Sequence, residues 1–109
     1  MAEENVMMAY ITAPNSDEAL KLATLLVEER LAACANVHGA MTSVYWWQGS
    51  VQQETEVAIV LKTRADLVDG LTRRVSELHS YSTPCVVAWP IAAGHLAFLD
   101  WVREETRKR

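Results

Sequence analysis

The sequence predicts an α+β fold, a ferredoxin-like βαββαβ sandwich with a long β-hairpin and an additional C-terminal helix. Three observations predict it. Four runs of strand length, rich in β-branched, aromatic and small apolar residues, punctuate the chain at Val6–Ala13, 33–44, Val51–Thr63 and 85–89. Two stretches with apolar residues at helical spacing fall between the first and second runs and between the third and fourth. The second and third runs are separated only by a short glycine-containing turn, Gln48-Gly49-Ser50, which makes them a hairpin. Right-handed crossovers then put both main helices on one face of the sheet.

Each element has a local reason. The first strand stops at Pro14, which has no amide hydrogen to give the ladder. A helix starts at once: Asn15 or Ser16 offers an acceptor to the orphan amides, Asp17 and Glu18 favour the positive end of the dipole, and Asn15 to Glu18 has capping-box spacing. Ala19, Leu22, Ala23, Leu26 and Val27 carry the helical period, and the helix is expected to run through Leu31. The second strand is interrupted near Gly39, where an isolated glycine signals a bulge. A central glycine in a three-residue loop supplies the positive φ that the hairpin needs. After the third strand Thr63 is placed to cap a second helix, with Asp66 in its first turn and Leu67, Leu71, Val75 and Leu78 as its apolar stripe up to His79. Pro84 opens the fourth strand and Pro90 closes it. A last helix over 96–107 carries Leu96, Phe98, Leu99, Trp101 and Val102 and ends in cationic residues, as its dipole prefers.

At 109 residues the chain is expected to form one domain, and half of it is hydrophobic, which excludes disorder as a description of the whole. A formal charge of −4 argues against duplex nucleic acid as a partner, because such binding rests on lysines and arginines that neutralise phosphates. No apolar run approaches the ~18 residues of a membrane span, and the acidic start Met-Ala-Glu-Glu-Asn is unlike a signal peptide. A cytoplasmic protein is expected, with Cys34 and Cys85 as reduced thiols.

The strands also carry apolar residues in both phases. Val57, Ile59 and Leu61 alternate with Ala58 and Val60, and Met7, Ala9 and Ile11 alternate with Val6, Met8 and Tyr10. With the helices on one face, the other is bare and apolar. Leaving it wet costs several kcal/mol at ~25 cal/mol per Å², so a cover is expected, most economically another copy of the chain.

Several stretches together resemble one family: Thr12-Ala13-Pro14, Leu31-Ala32-Ala33-Cys34-Ala35-Asn36, Thr42 through Gly49, Ile59-Val60-Leu61-Lys62-Thr63, and the block from His79 through Tyr81 to Pro84. The chain resembles the divalent cation tolerance (CutA) family over nearly its whole length. The resemblance implies a homotrimer of ferredoxin-like subunits, PII-like in architecture and with strands paired between subunits, and a role in tolerance of copper and other divalent cations without an established reaction. Where relatives often read His-Pro-Tyr-Glu-x-Pro-Glu, this chain reads His79-Ser80-Tyr81-Ser82-Thr83-Pro84-Cys85 and lacks two carboxylates. The positions at which some relatives place copper ligands are Ile11, Leu78 and His79 here, and only the last can ligate.

The candidate metal ligands are therefore His79 and Cys85, the latter at a strand start from which a folded-back loop would bring the two together. No obligatory cofactor is expected, with copper or another divalent cation as the possible one. Cys34 and His38 lie ~13 Å apart along one strand, too far to chelate one ion, and the ordinary reading of Cys34 is a small buried hydrophobe. His38 and His95 read as surface imidazoles. Lys62, Tyr81 and Trp101 are candidates to line a ligand pocket between subunits, although Trp101 equally suits a core and Lys62 a solvated strand end. Tyr45, Trp46 and Trp47 are candidate interface anchors. The expected function is binding of a divalent metal ion or small ligand at subunit boundaries. The alternatives are a small-ligand signalling protein or scaffold without a metal role, and an enzyme with Cys85 as nucleophile and His79 as base.

Overall fold

The computed structural model describes residues 5–108. Its elements are β1 (Val6–Ala13), α1 (Ser16–Glu28), β2 (Cys34–Trp47), β3 (Ser50–Arg64), α2 (Val68–Leu78), β4 (Val86–Pro90) and α3 (Leu96–Glu105). The strands form one sheet in the order β2-β3-β1-β4, antiparallel throughout, which is the ferredoxin-like arrangement. No helix among the described residues is long and apolar enough to cross a membrane.

Alternation along the strands decides what each face meets. Ala9, Ile11 and Ala13 of β1, opposite Leu61, Ile59 and Val57 of β3, point at the helices and pack against Leu22 and Leu26 of α1 and Leu71 and Val75 of α2. Thr63, in the same phase, is also fully buried, and its hydroxyl donates to the Leu31 carbonyl. The opposite face carries Met8, Tyr10 and Thr12, Ala58 and Val60, and Val87 and Trp89. It is bare over β4, where Val87 and Trp89 stand 51% and 45% exposed. α3 does not cover it. Val102 and Leu99 dock against Val6, Ala33 and Ile91 at one end of the sheet, while Leu96, Phe98 and Trp101 stay exposed.

Several expected boundaries move, each for a local reason. Asn15 is the cap of α1, its side chain accepting the Glu18 amide at 2.8 Å. The helix ends at Glu28 rather than Leu31, because Arg30 turns left-handed at φ 64°. Its amide donates to Val27 and that of Leu31 donates to Leu26, a Schellman closure without the usual glycine. The bulge near Gly39 is present as a register shift between Val37 and Ala40. The hairpin loop has two residues, not three: Trp47 pairs with Ser50, and Gln48 and Gly49 take φ 51° and 83°, the signature of a type I′ turn.

Thr63 does not cap α2. It lies inside β3, which continues to Arg64, and a single 3₁₀ turn over Ala65–Leu67 leads into a helix with no side-chain cap. At β4 the bounds shift by one residue, so that Cys85 precedes the strand and Pro90 belongs to it. Proline is tolerated there because β4 is an edge strand. Finally α3 stops at Glu105, where two arginines hold its carbonyl end: Arg30 donates to the Glu105 carbonyl, and Arg64 donates to the hydroxyl and carbonyl of Thr106.

Candidate functional site

Beyond the bulge, the two arms of the hairpin extend past the helices. Here one phase, Thr42, Val44 and Trp46, has nothing packed over it, and Trp46 is 74% exposed. The other phase holds Met41, Ser43, Tyr45 and Trp47 opposite Glu56, Glu54, Gln52 and Ser50. This phase shares a face with Tyr10 and Thr12, as the contact from the Tyr10 hydroxyl to the Met41 sulfur shows. The segment after α2 folds back toward it and leaves a groove of about 550 Å³. Ser43, Tyr45, Trp47 and Glu56 line the hairpin side, and Thr12, Tyr81, Ser82, Thr83 and Cys85 line the rest.

His79 fixes that returning segment. It closes α2, and its imidazole is out of solvent contact. Nε2 lies 2.7 Å from the Thr12 carbonyl, so Nε2 carries the hydrogen and donates it. Nδ1 then accepts the Tyr81 amide at 3.0 Å. Glu18 secures the segment from α1, accepting from both the amide and the hydroxyl of Ser80. Tyr81 is thereby held with its ring against His79 and its hydroxyl donating to Glu56 Oε2 at 2.9 Å.

Glu56 is the residue around which the groove's electrostatics turn. It is only 8% exposed, and among the described residues it has no cationic partner. Its surroundings respond to its charge. Burial, followed by the hydrogen bond from Tyr81 to Glu56 and the charges of Glu56, Tyr45 and Glu18, pushes the Tyr81 phenol far above its usual range. Burial and then Glu56 push the Cys85 thiol up. Burial, Glu54 and Glu56 do the same to Tyr45. The rings and the thiol are neutral at physiological pH, and the Glu56 carboxylate, the one acidic side chain in the lining, gives the groove its negative sign.

The family model described as CutA1 divalent ion tolerance protein matches residues 7–105. The chain belongs to the CutA family. It is 46% identical over 99 residues to the divalent-cation tolerance protein CutA of Thermus thermophilus, covering 91% of this chain and 96% of that one. The crystal structure of CutA1 from Oryza sativa matches over the whole of both chains, with a TM-score of 0.93 at 38% identity. Against the chloroplastic CutA proteins of Oryza sativa and Arabidopsis thaliana, both 41% identical, the chain spans 58% and 56% of the relative's length.

Within this CutA fold the candidates read from sequence separate into groups. Cys85 and Tyr81 meet in the groove, with Tyr45 and Trp47 on its hairpin side. Trp46 points to the other face of the same arm. His79 stands behind the groove with both ring nitrogens engaged, so in this geometry it offers no lone pair to a metal. Lys62 and Trp101 are not in the groove: the Lys62 ammonium donates to Asn36 Oδ1 at 2.7 Å, and Trp101 stacks on Phe98 along α3. Cys34 lies beside Lys62 in the ladder and His38 sits in the bulge, and no cluster of three metal-ligating side chains occurs among the described residues. Sequence reasoning missed Glu56, Thr12 and Ser43. The one available signal was the pair Glu54 and Glu56 in a single strand phase, a costly place for charge unless it has a task.

Proposed function

We propose that this chain acts in divalent-cation tolerance as a homotrimer that binds metal ions at the groove, by ligation and not by turnover. The observation that carries the reading is the convergence on one groove of the Cys85 thiol and the buried Glu56 carboxylate in a chain of the CutA family. Thiolate and carboxylate together suit transition-metal cations, and copper stands at the top of the affinity order for such donors. Two ligands from one chain make a weak site. Ligands from neighbouring copies, brought in by the homotrimer, or the hydroxyls of Thr12 and Ser43 complete the coordination.

His79 enters this reading as the residue that positions Tyr81, and through it Glu56. That role also weighs against a Cys85–His79 catalytic pair: the imidazole is committed to Thr12 and Tyr81, and the thiol is pushed up where a nucleophile needs it pushed down. The proposed compartment is the cytoplasm, supported by the two free thiols.

Anaerobic titration with Cu(I), and separately with Cu(II), tests the proposal, because a thiol can reduce Cu(II) and mimic its loss. Cys85→Ser is expected to abolish the Cu(I) site and Glu56→Gln to weaken Cu(II) binding. His79→Ala should weaken both only in part. Equal binding of both ions by the parent and by Cys85→Ser would remove the groove from the account.

A further inference from the structure

We infer that a second copy of the chain completes the groove: Lys62 of the partner subunit enters it and donates to the open oxygen of Glu56. The inference rests on the homotrimer reading and not on the metal.

The need for a cation comes first. Glu56 is more than nine-tenths buried and lacks a cationic partner among the described residues. Its Oε2 takes the Tyr81 hydroxyl, whereas Oε1 has no partner and is not sealed from solvent. Covering the bare face with another subunit removes the water that still reaches this carboxylate, and a buried charge left unpaired is strongly unfavourable. Whatever covers the groove must bring a positive charge to it.

The chain has few to bring. Arg30, Arg64, Arg74, Arg103 and Arg107 are each held by a carboxylate of their own chain. Lys21 and Arg73 stand exposed on α1 and α2 with Asp17, Glu28 and Glu77, and so charged a surface is a poor cover for Val87, Trp89 and Tyr45. Lys108 follows α3, which docks at one end of the sheet and not over the bare face. Lys62 is different, because it lies on the bare face itself, opposite Met8 and Cys34. Its ammonium gives one hydrogen to Asn36 Oδ1 at 2.7 Å and keeps two more to donate. Packing apolar face against apolar face carries this lysine into the interface.

Within one chain the pair cannot form. Glu56 and Lys62 share a phase of β3 but stand about 20 Å apart at ~3.3 Å per residue. That separation suits a closed ring, in which each subunit gives its lysine to one neighbour and receives the other neighbour's at Glu56. A metal ion that takes Oε1 displaces the lysine.

Sedimentation of the full chain, of Lys62→Met, of Glu56→Gln and of the double variant tests this, with circular dichroism to establish that each folds. Each single change is expected to raise the concentration at which the trimer half-dissociates by about tenfold or more, and the double change by no more than the larger single one. Sites about 20 Å apart in one chain give additive effects instead, so additivity overturns the inference while the homotrimer stands. A Lys62→Met trimer as stable as the parent does the same. If Lys62→Met does not fold, the parent alone decides: a zero-length carbodiimide joins a carboxylate to an amine only where they touch. The tryptic peptide that starts at Leu31 holds both residues, and it should appear bonded to a second copy of itself through Glu56 and Lys62. Absence of that link overturns the inference. A parent that sediments as a folded monomer at micromolar concentration overturns the homotrimer and the inference together.

Discussion

Glu56 and Tyr81 form the contact most sensitive to a single atom. Tyr81→Phe deletes the one hydroxyl that donates to a buried carboxylate, and hydrogen bonds to charged groups contribute about 1.5–3 kcal/mol. Urea denaturation at neutral pH should show a loss of that order, and Glu56→Gln a smaller one, because glutamine still accepts from the phenol. Cys85 offers a separate readout. With burial and Glu56 both disfavouring the thiolate, its alkylation by iodoacetamide should have a midpoint above the ~8.5 of a free cysteine. Glu56→Gln should bring that midpoint down. The same raised thiol has a linkage sign: its contribution to stability is present at neutral pH and is lost as pH rises above ~8.5, where the unfolded chain ionises first. Copper affinity runs the other way, falling as the pH is lowered, since metal must displace the proton. At this scale the sequence was only partly legible. Cys85 and Tyr81 stood out by residue type and by the family's pattern, but Glu56 became visible only once β3 had a register and the segment after His79 had a path.

Among the elements, the hairpin and α1 illustrate which local rules can be read and which cannot. The type I′ turn asks for positive φ at both central positions, and Gln48 meets that demand at a cost that glycine or asparagine avoids. Gln48→Gly is expected to stabilise the chain by about 0.5–1 kcal/mol, while Gly49→Ala should destabilise it by about 1 kcal/mol or more. Melting curves of the two variants, moving in opposite directions, check this. Asn15→Ala should cost about 1 kcal/mol by freeing the Glu18 amide. The strands, both main helices and the bulge were legible because periodicity, proline and glycine mark them. The end of α1 was not, since an arginine occupies the left-handed position where glycine usually announces a stop. Thr63 misled for a different reason: a hydroxyl before an acidic residue looks like a cap, whereas tertiary burial against Leu31 claimed it for the strand.

For the molecule as a whole, the doubly apolar sheet is the dominant fact. The helices and α3 leave Val87, Trp89, Tyr45 and Trp47 exposed on one face and Trp46 and Val44 on the arm's other side. Surfaces of this kind are covered in closed symmetric assemblies, and the proposed homotrimer supplies the cover. Native mass spectrometry of the parent and of Cys85→Ser, each incubated with Cu(I) without oxygen, tests assembly and binding site together. The parent is expected as a species at three times the 12.2 kDa chain mass carrying copper, and the variant as the same trimer without copper. A folded monomer at micromolar concentration, or copper retained by Cys85→Ser, would contradict this.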